Sequence, residues 1–302
     1  MPLTPEMRAR MAQDMQSNRK FDGETDIPPE CRGFIHLADV ETVERPAVDG
    51  WRYRVYVFRP KKGMEPNAPL HINIHGGGFV IGHMPNDTLW CAWLADQIGG
   101  VVVDVDYTTT EYAPHPVALD QCRDAARFAY AHCKEWGCDE KRISMGGYSA
   151  GGTYTIACAM AALKNHECPY CLLVDGYGPG DMRYDEKVRD IPEFWKTQEY
   201  RSVGFSVLYS DDDATVMNDP LIYPLGASDD DLRGLPPTLI LAAAACPFRF
   251  QNEELGKRLA ALGTEVTMKR FPDTAHGFIP HFMPHWKEAG DLIVRAIRNT
   301  SL

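Results

Sequence analysis

The sequence has no long cluster of lysine and arginine. Its longest basic runs are pairs such as Lys61-Lys62, and 31 basic residues stand against 42 acidic ones, a net charge of −11. Phosphate backbones attract clustered cations, so nucleic acid is not an expected partner. No apolar stretch approaches the roughly 18 to 20 residues that would span a bilayer, and no membrane span is expected. The first residues, Met1 to Arg8, lack the apolar region of a secretion signal, and the nine cysteines are an odd number. A disulfide framework is therefore not expected, and the compartment reads as reducing and cytoplasmic. Internal repeats are absent. The short acidic runs Asp211 to Asp213 and Asp229 to Asp231 lack the rest of a calcium-loop pattern and read as solvated faces.

What is present suits a soluble globular chain of 302 residues: 44% apolar residues beside 24% charged ones exclude a disordered or fibrous protein. A helix is expected from Pro5 to about Lys20, carrying Met7, Met11 and Met15 along one stripe. From Trp51 onward, strand-like and helix-like runs alternate. Strands are predicted at Trp51 to Phe58, Leu70 to His75, Val101 to Tyr107, Arg142 to Tyr148, Cys171 to Tyr177, Thr238 to Ala245 and Glu265 to Phe271. Helices are predicted at Asp87 to Ile98, Pro116 to Trp136, Ala150 to Asn165, Arg249 to Leu262 and Trp286 to Arg298. This repeated order means an α/β fold with a mainly parallel, doubly wound sheet. The stretch Asp181 to Arg233 breaks the rhythm and reads as an insertion above the carboxyl edge of the sheet.

Three motifs carry chemistry. Gly147-Tyr148-Ser149-Ala150-Gly151 lies where a predicted strand meets a predicted helix. A nucleophile on so tight a turn needs glycines two residues to either side, because side chains there would strike the neighbouring strand and helix. The turn presents Ser149 Oγ to the cleft and puts the N–H of Ala150 at a helix N-terminus, where it can stabilise an oxyanion. His75-Gly76-Gly77-Gly78-Phe79 follows an apolar strand, and its glycines let several N–H groups converge on one point. It lacks the G-K-[ST] or G-x-G-x-x-G pattern of a phosphate loop, so Gly76, Gly77 and Ala150 are the candidate oxyanion donors. His276-Gly277-Phe278 follows the last predicted strand, from which His276 can serve Ser149 as base.

His75 to Phe79, Gly147 to Gly152 and His276 to Phe278, in this order and at these separations, resemble the hormone-sensitive-lipase-like branch of the α/β-hydrolases. Asp106-Tyr107 followed by Pro114-His115-Pro116 resembles that branch's connection after its fourth strand. The resemblance covers nearly the whole chain. It implies one α/β-hydrolase domain over residues 1–302 with an eight-stranded sheet, helices on both faces, and a helical cap made from about 1–30 and 181–233. It also implies hydrolysis of small carboxylic esters through an acyl-Ser149 intermediate, with no cofactor and no metal. A homodimer is compatible with it.

One segment departs from the pattern. The branch places the triad's carboxylate just after the seventh strand, where this chain reads Cys246-Pro247-Phe248-Arg249-Phe250-Gln251. Cys246 occupies the acid position. A thiol donating S–H to the imidazole Nδ1 favours the wrong tautomer, and a thiolate tends to leave the ring already protonated. Asp181, Glu253 and Glu254 are the candidate substitutes. Two other readings follow: a hydrolase-fold binding protein or weakly active relative, and an acyltransferase or amidase using the same site.

Weaker signals lie elsewhere. Cys168 and Cys171 have C-x-x-C spacing but lead into a strand rather than a helix, and His281 and His285, four apart, have no further ligand beside them. The aromatic residues of the insertion, Tyr184, Phe194, Trp195, Tyr200, Phe205 and Tyr209, either line an acyl pocket or pack the cap onto the sheet.

Overall fold

The computed structural model describes residues 3–17, 27–167, 170–181, 208–211 and 216–300. Its strands are β1 (Ala38–Val48), β2 (Trp51–Pro60), β3 (Ala68–Ile74), β4 (Val101–Asp106), β5 (Cys138–Tyr148), β6 (Leu172–Gly176), β7 (Thr238–Ala243) and β8 (Val266–Phe271). They form one sheet in the order β1-β2-β4-β3-β5-β6-β7-β8. β2 is antiparallel to both neighbours, and every other pair is parallel. The main helices are α1 (Pro5–Ser17), α2 (Pro85–Ile98), α3 (Val117–His132), α4 (Ala150–Asn165), α5 (Arg249–Ala261) and α6 (Trp286–Asn299).

Strand chemistry explains the layering. Alternate residues of one strand point to opposite faces. Val101, Val103 and Val105 accordingly pack with Leu70, Ile72 and Ile74 and with α3 and α4. Val102 instead joins Leu239, Leu241 and Phe271 under α2 and α6. Burial on both faces makes β3 and β7 apolar along most of their length, and every residue of each is buried.

β1 is the strand the residue pattern misses. Its sequence, ADVETVERPAV, is largely exposed and lies at the sheet edge, paired with β2 alone. An edge strand half in water needs no apolar alternation, and its Pro46 falls within a break in register between Arg45 and Val48, where a missing N–H does no harm. The predicted helix to Trp136 ends its regular part at His132, and a further turn carries the chain to Gly137 in the left-handed region (φ +77°).

The strand order places the site. β4 lies to one side of β3 and β5 to the other, so connections leave the carboxyl ends of β3 and β5 in opposite directions. A crevice opens there in doubly wound sheets. The His75–Phe79 segment follows β3 and Ser149 follows β5. Most of the 181–233 insertion lies outside the described residues, but 208–211 does not. Arg8 of α1 donates to the carbonyls of Leu208 and Thr110, each at 2.9 Å, and pairs with Asp211. Among the described residues no helix is long and apolar enough to cross a membrane.

Candidate active site

Ser149 sits between β5 and α4 with φ 56° and ψ −123°, a conformation that non-glycine residues seldom adopt. The crowding around it accounts for its neighbours. A Cβ on Gly147 would lie 2.3 Å from the Gly151 carbonyl oxygen, and one on Gly151 would lie 1.9 Å from that of Ile74. Glycine is the residue that fits at both places. The Ser149 N–H donates to Gly176 O at 2.8 Å, which ties the turn to β6.

His276 comes from the loop after β8. Its Nε2 lies 2.7 Å from Ser149 Oγ, and its Nδ1 lies 3.0 Å from Cys246 Sγ. Both ring nitrogens are thus engaged, and the sequence-predicted Ser149 and His276 are brought together. Sγ also accepts the backbone N–H of Phe248 at 3.4 Å. Burial pushes the His276 pKa down to about 4, with the charge of His281 adding to the effect. Burial likewise pushes the Cys246 thiol up to about 12; N–H groups of Phe248 and Arg249 oppose this, and the charge of Asp175 adds to it. At neutral pH the pair is therefore an imidazole and a thiol, both uncharged.

Of the carboxylates considered as substitutes, the two on α5 are engaged elsewhere. Glu253 holds Arg270 through both oxygens, at 2.5 and 2.6 Å, and Glu254 pairs with Lys257 at the surface. The backbone N–H of Asp181 donates to Gln251 Oε1 at 3.0 Å, at the last described residue before the insertion. Asp175 is a buried carboxylate that the residue pattern does not single out. Its oxygens accept from Gly178 N at 2.9 Å and Asn252 Nδ2 at 2.8 Å, and burial raises its pKa to about 6 against those two hydrogen bonds.

Gly76 lies against the serine: a Cβ there would be 3.4 Å from Ser149 Cβ. Tyr107 OH donates to His75 O at 3.2 Å, and His75 Nδ1 donates to Gly76 O at 2.7 Å. In a trans peptide C=O and N–H point in opposite directions, so the N–H groups of Gly76 and Gly77 face away from these donors. The N–H of Ala150 belongs to the first turn of α4, where helix geometry offers it no intrahelical partner.

A buried charged network underlies the His75–Phe79 loop. His83 Nε2 pairs with Asp104 Oδ2 at 2.8 Å, and Asn73 Nδ2 donates to Asp104 Oδ1 at 2.6 Å. Burial disfavours the His83 charge, but Asp104 overcomes this and raises its pKa to about 9. Asn73 and Asp104 lie on neighbouring strands that read as plain core and His83 in the loop before α2, so only the packed sheet reveals the group.

Of the weaker signals, Tyr209 is buried and stacks on Phe79, ring centroids 4.2 Å apart, while the other five aromatics of the insertion lie outside the described residues. Cys168 is also outside them; Cys171 Sγ–H donates to Thr300 O at 3.8 Å. His285 pairs with Glu288 at 3.1 Å. Among the described residues no group of three or more His, Cys, Asp or Glu side chains is arranged to hold a metal ion.

Residues 71–280 match the family model described as alpha/beta hydrolase fold. The chain is 25% identical over 239 residues to a versiconal hemiacetal acetate esterase of Dothistroma septosporum, covering 76% of this chain and 72% of the relative. It is 28% identical over 229 residues to the esterase LipI of Mycobacterium tuberculosis, covering 75% and 70%. Among solved structures, a hyperthermophilic esterase from the archaeon Pyrobaculum calidifontis superposes with a TM-score of 0.81 at 26% identity, covering 99% of this chain and 98% of that one.

Proposed function

Because the chain belongs to the α/β-hydrolase fold family, we propose that it is a carboxylesterase-type serine hydrolase acting on small carboxylic esters. The observation that carries this reading is the 2.7 Å approach of His276 Nε2 to Ser149 Oγ on a strained turn. Ser149 Oγ attacks the ester carbonyl while His276 Nε2 takes its proton. The N–H groups of Gly76, Gly77 and Ala150 stabilise the oxyanion. His276 then protonates the departing alkoxide, and water, deprotonated by the same nitrogen, releases the acid from acyl-Ser149. The relatives named as esterases support the reaction class and leave the acyl and alcohol groups open.

The cap of about 1–30 and 181–233 belongs to the same proposal. It is supported by the bonds from Arg8 of α1 to Leu208 and Asp211, and by the stacking of Tyr209 on Phe79 beside the glycine loop. A second reading, a weakly active relative, is favoured by the thiol at His276 Nδ1.

Hydrolysis of p-nitrophenyl acetate and butyrate by the parent and by Ser149→Ala tests the first reading. Loss of at least about 10³-fold in kcat with an unchanged circular dichroism spectrum is expected. Parent-level activity in Ser149→Ala would remove the serine mechanism.

A further inference from the structure

In the proposed mechanism His276 is a base twice, towards Ser149 during acylation and towards water during deacylation. Each time an imidazolium forms in a partly buried site, and its charge calls for an opposite charge nearby. The group 3.0 Å from Nδ1 is a buried thiol. Asp175 is held between Gly178 and Asn252, and Glu253 by Arg270. The Phe248 N–H donates to Sγ, which favours sulfur as an acceptor and lets Nδ1–H point at it. Cys246 can therefore orient the ring without neutralising it.

The two half-reactions tolerate this differently. Acylation can be assisted by the substrate. Thiols and phenols, with ordinary pKa values of about 8.5 and 10, leave as anions far more readily than alkoxides, and their esters have a more electrophilic carbonyl. Deacylation has no such help. Whatever the donor was, the acyl group is now an alkyl ester of serine, and its attacker is water, with a pKa of about 15.7. An unprotonated amine attacks with its own lone pair and needs no base beforehand.

Resting on the esterase reading above, we propose that Cys246 is a positioning residue that makes deacylation slow. The site takes acyl groups from activated donors, namely aryl esters, enol esters and thioesters. It holds them on Ser149 and delivers them to an unprotonated primary amine in preference to water. In that transfer the C–N bond forms and the C–Oγ bond breaks. The proton lost by nitrogen passes through His276 Nε2 to Ser149 Oγ, so the products are an amide and free serine.

The experiment mixes the parent, Ser149→Ala and Cys246→Asp with excess p-nitrophenyl acetate, with and without hydroxylamine as the amine. The parent is expected to release about one p-nitrophenolate per Ser149 in a burst and then turn over slowly, with an acetyl adduct on Ser149 after acid quenching. Hydroxylamine should speed the slow phase and yield acetohydroxamate. Phenyl acetate should share that slow rate, whereas ethyl acetate should fall behind it by on the order of 10²-fold. Cys246→Asp should abolish the burst, raise the steady rate on the order of 10²- to 10⁴-fold and remove the hydroxylamine effect. An active parent with neither burst nor hydroxylamine acceleration overturns the proposal, as does an unchanged steady rate in folded Cys246→Asp. If that variant does not fold, the parent's burst and partitioning decide alone. Full activity in Ser149→Ala would instead strike the esterase reading, a separate outcome.

Discussion

At the scale of single residues, the site turns on the pair formed by His276 and Cys246. With its pKa near 4, His276 is a free base above that value and is protonated below it. Activity should thus fall only as pH drops through about 4, and the parent should keep most of its kcat/KM at pH 5. An aspartate at 246 places a negative charge on Nδ1 and favours the protonated ring. In Cys246→Asp the acid limb should move up to about 6.5 or higher, the ordinary imidazole value or beyond. A pH profile of kcat/KM for the two proteins checks this; coincident acid limbs would mean that another group governs the base. The sequence places Cys246 in the slot of the triad's acid but leaves its contact with His276 open beside Asp181, Glu253 and Glu254, because a thiol carries no signature of its partner.

At the scale of elements, the turn between β5 and α4 is held by close backbone approach. Replacing Gly151 by alanine drives a Cβ to within 1.9 Å of Ile74 O, a backbone atom that cannot swing aside as a side chain would. We expect Gly151→Ala to cost on the order of 3 kcal/mol and to abolish esterase activity, read by urea unfolding and p-nitrophenyl acetate turnover. Retention of both would show that β3 and α4 can separate without consequence. This element was legible from its glycine spacing, since the requirement is local. β1 was not legible, because an exposed edge strand has no buried face to impose a pattern on its side chains. Glu253 on α5 shows the same limit: its engagement depends on Arg270 of β8, a neighbour brought in by the sheet.

At the scale of the whole molecule, the charged network inside the sheet links stability to pH. His83, with a folded pKa near 9 against an ordinary 6.5, contributes stability that is fully present below about 6.5 and is lost as pH rises through 9. Asp104 works in the other direction: its pKa is lowered by His83 against the effect of burial, so its contribution is lost towards acid. Urea midpoints at pH 6 and pH 9.5 should therefore differ by more in the parent than in Asp104→Asn. Asp87 and Asp106, which also face His83, should keep a smaller part of the dependence. Equal pH dependence in the two proteins would remove the pair from the account.

What the sequence determined by itself was whatever follows from local chemistry: the alternation of strands and helices, the glycines a tight serine turn demands, and the order of the serine, histidine and glycine motifs. Tertiary structure alone decided which groups meet. It put Cys246 rather than Asp181, Glu253 or Glu254 on His276 Nδ1, and it brought His83 of the loop before α2 and Asn73 of β3 onto the buried Asp104. The physical reason is that hydrogen bonds and charge pairs depend on distances of about 3 Å between atoms, and between residues far apart in the chain only the packed sheet sets such distances.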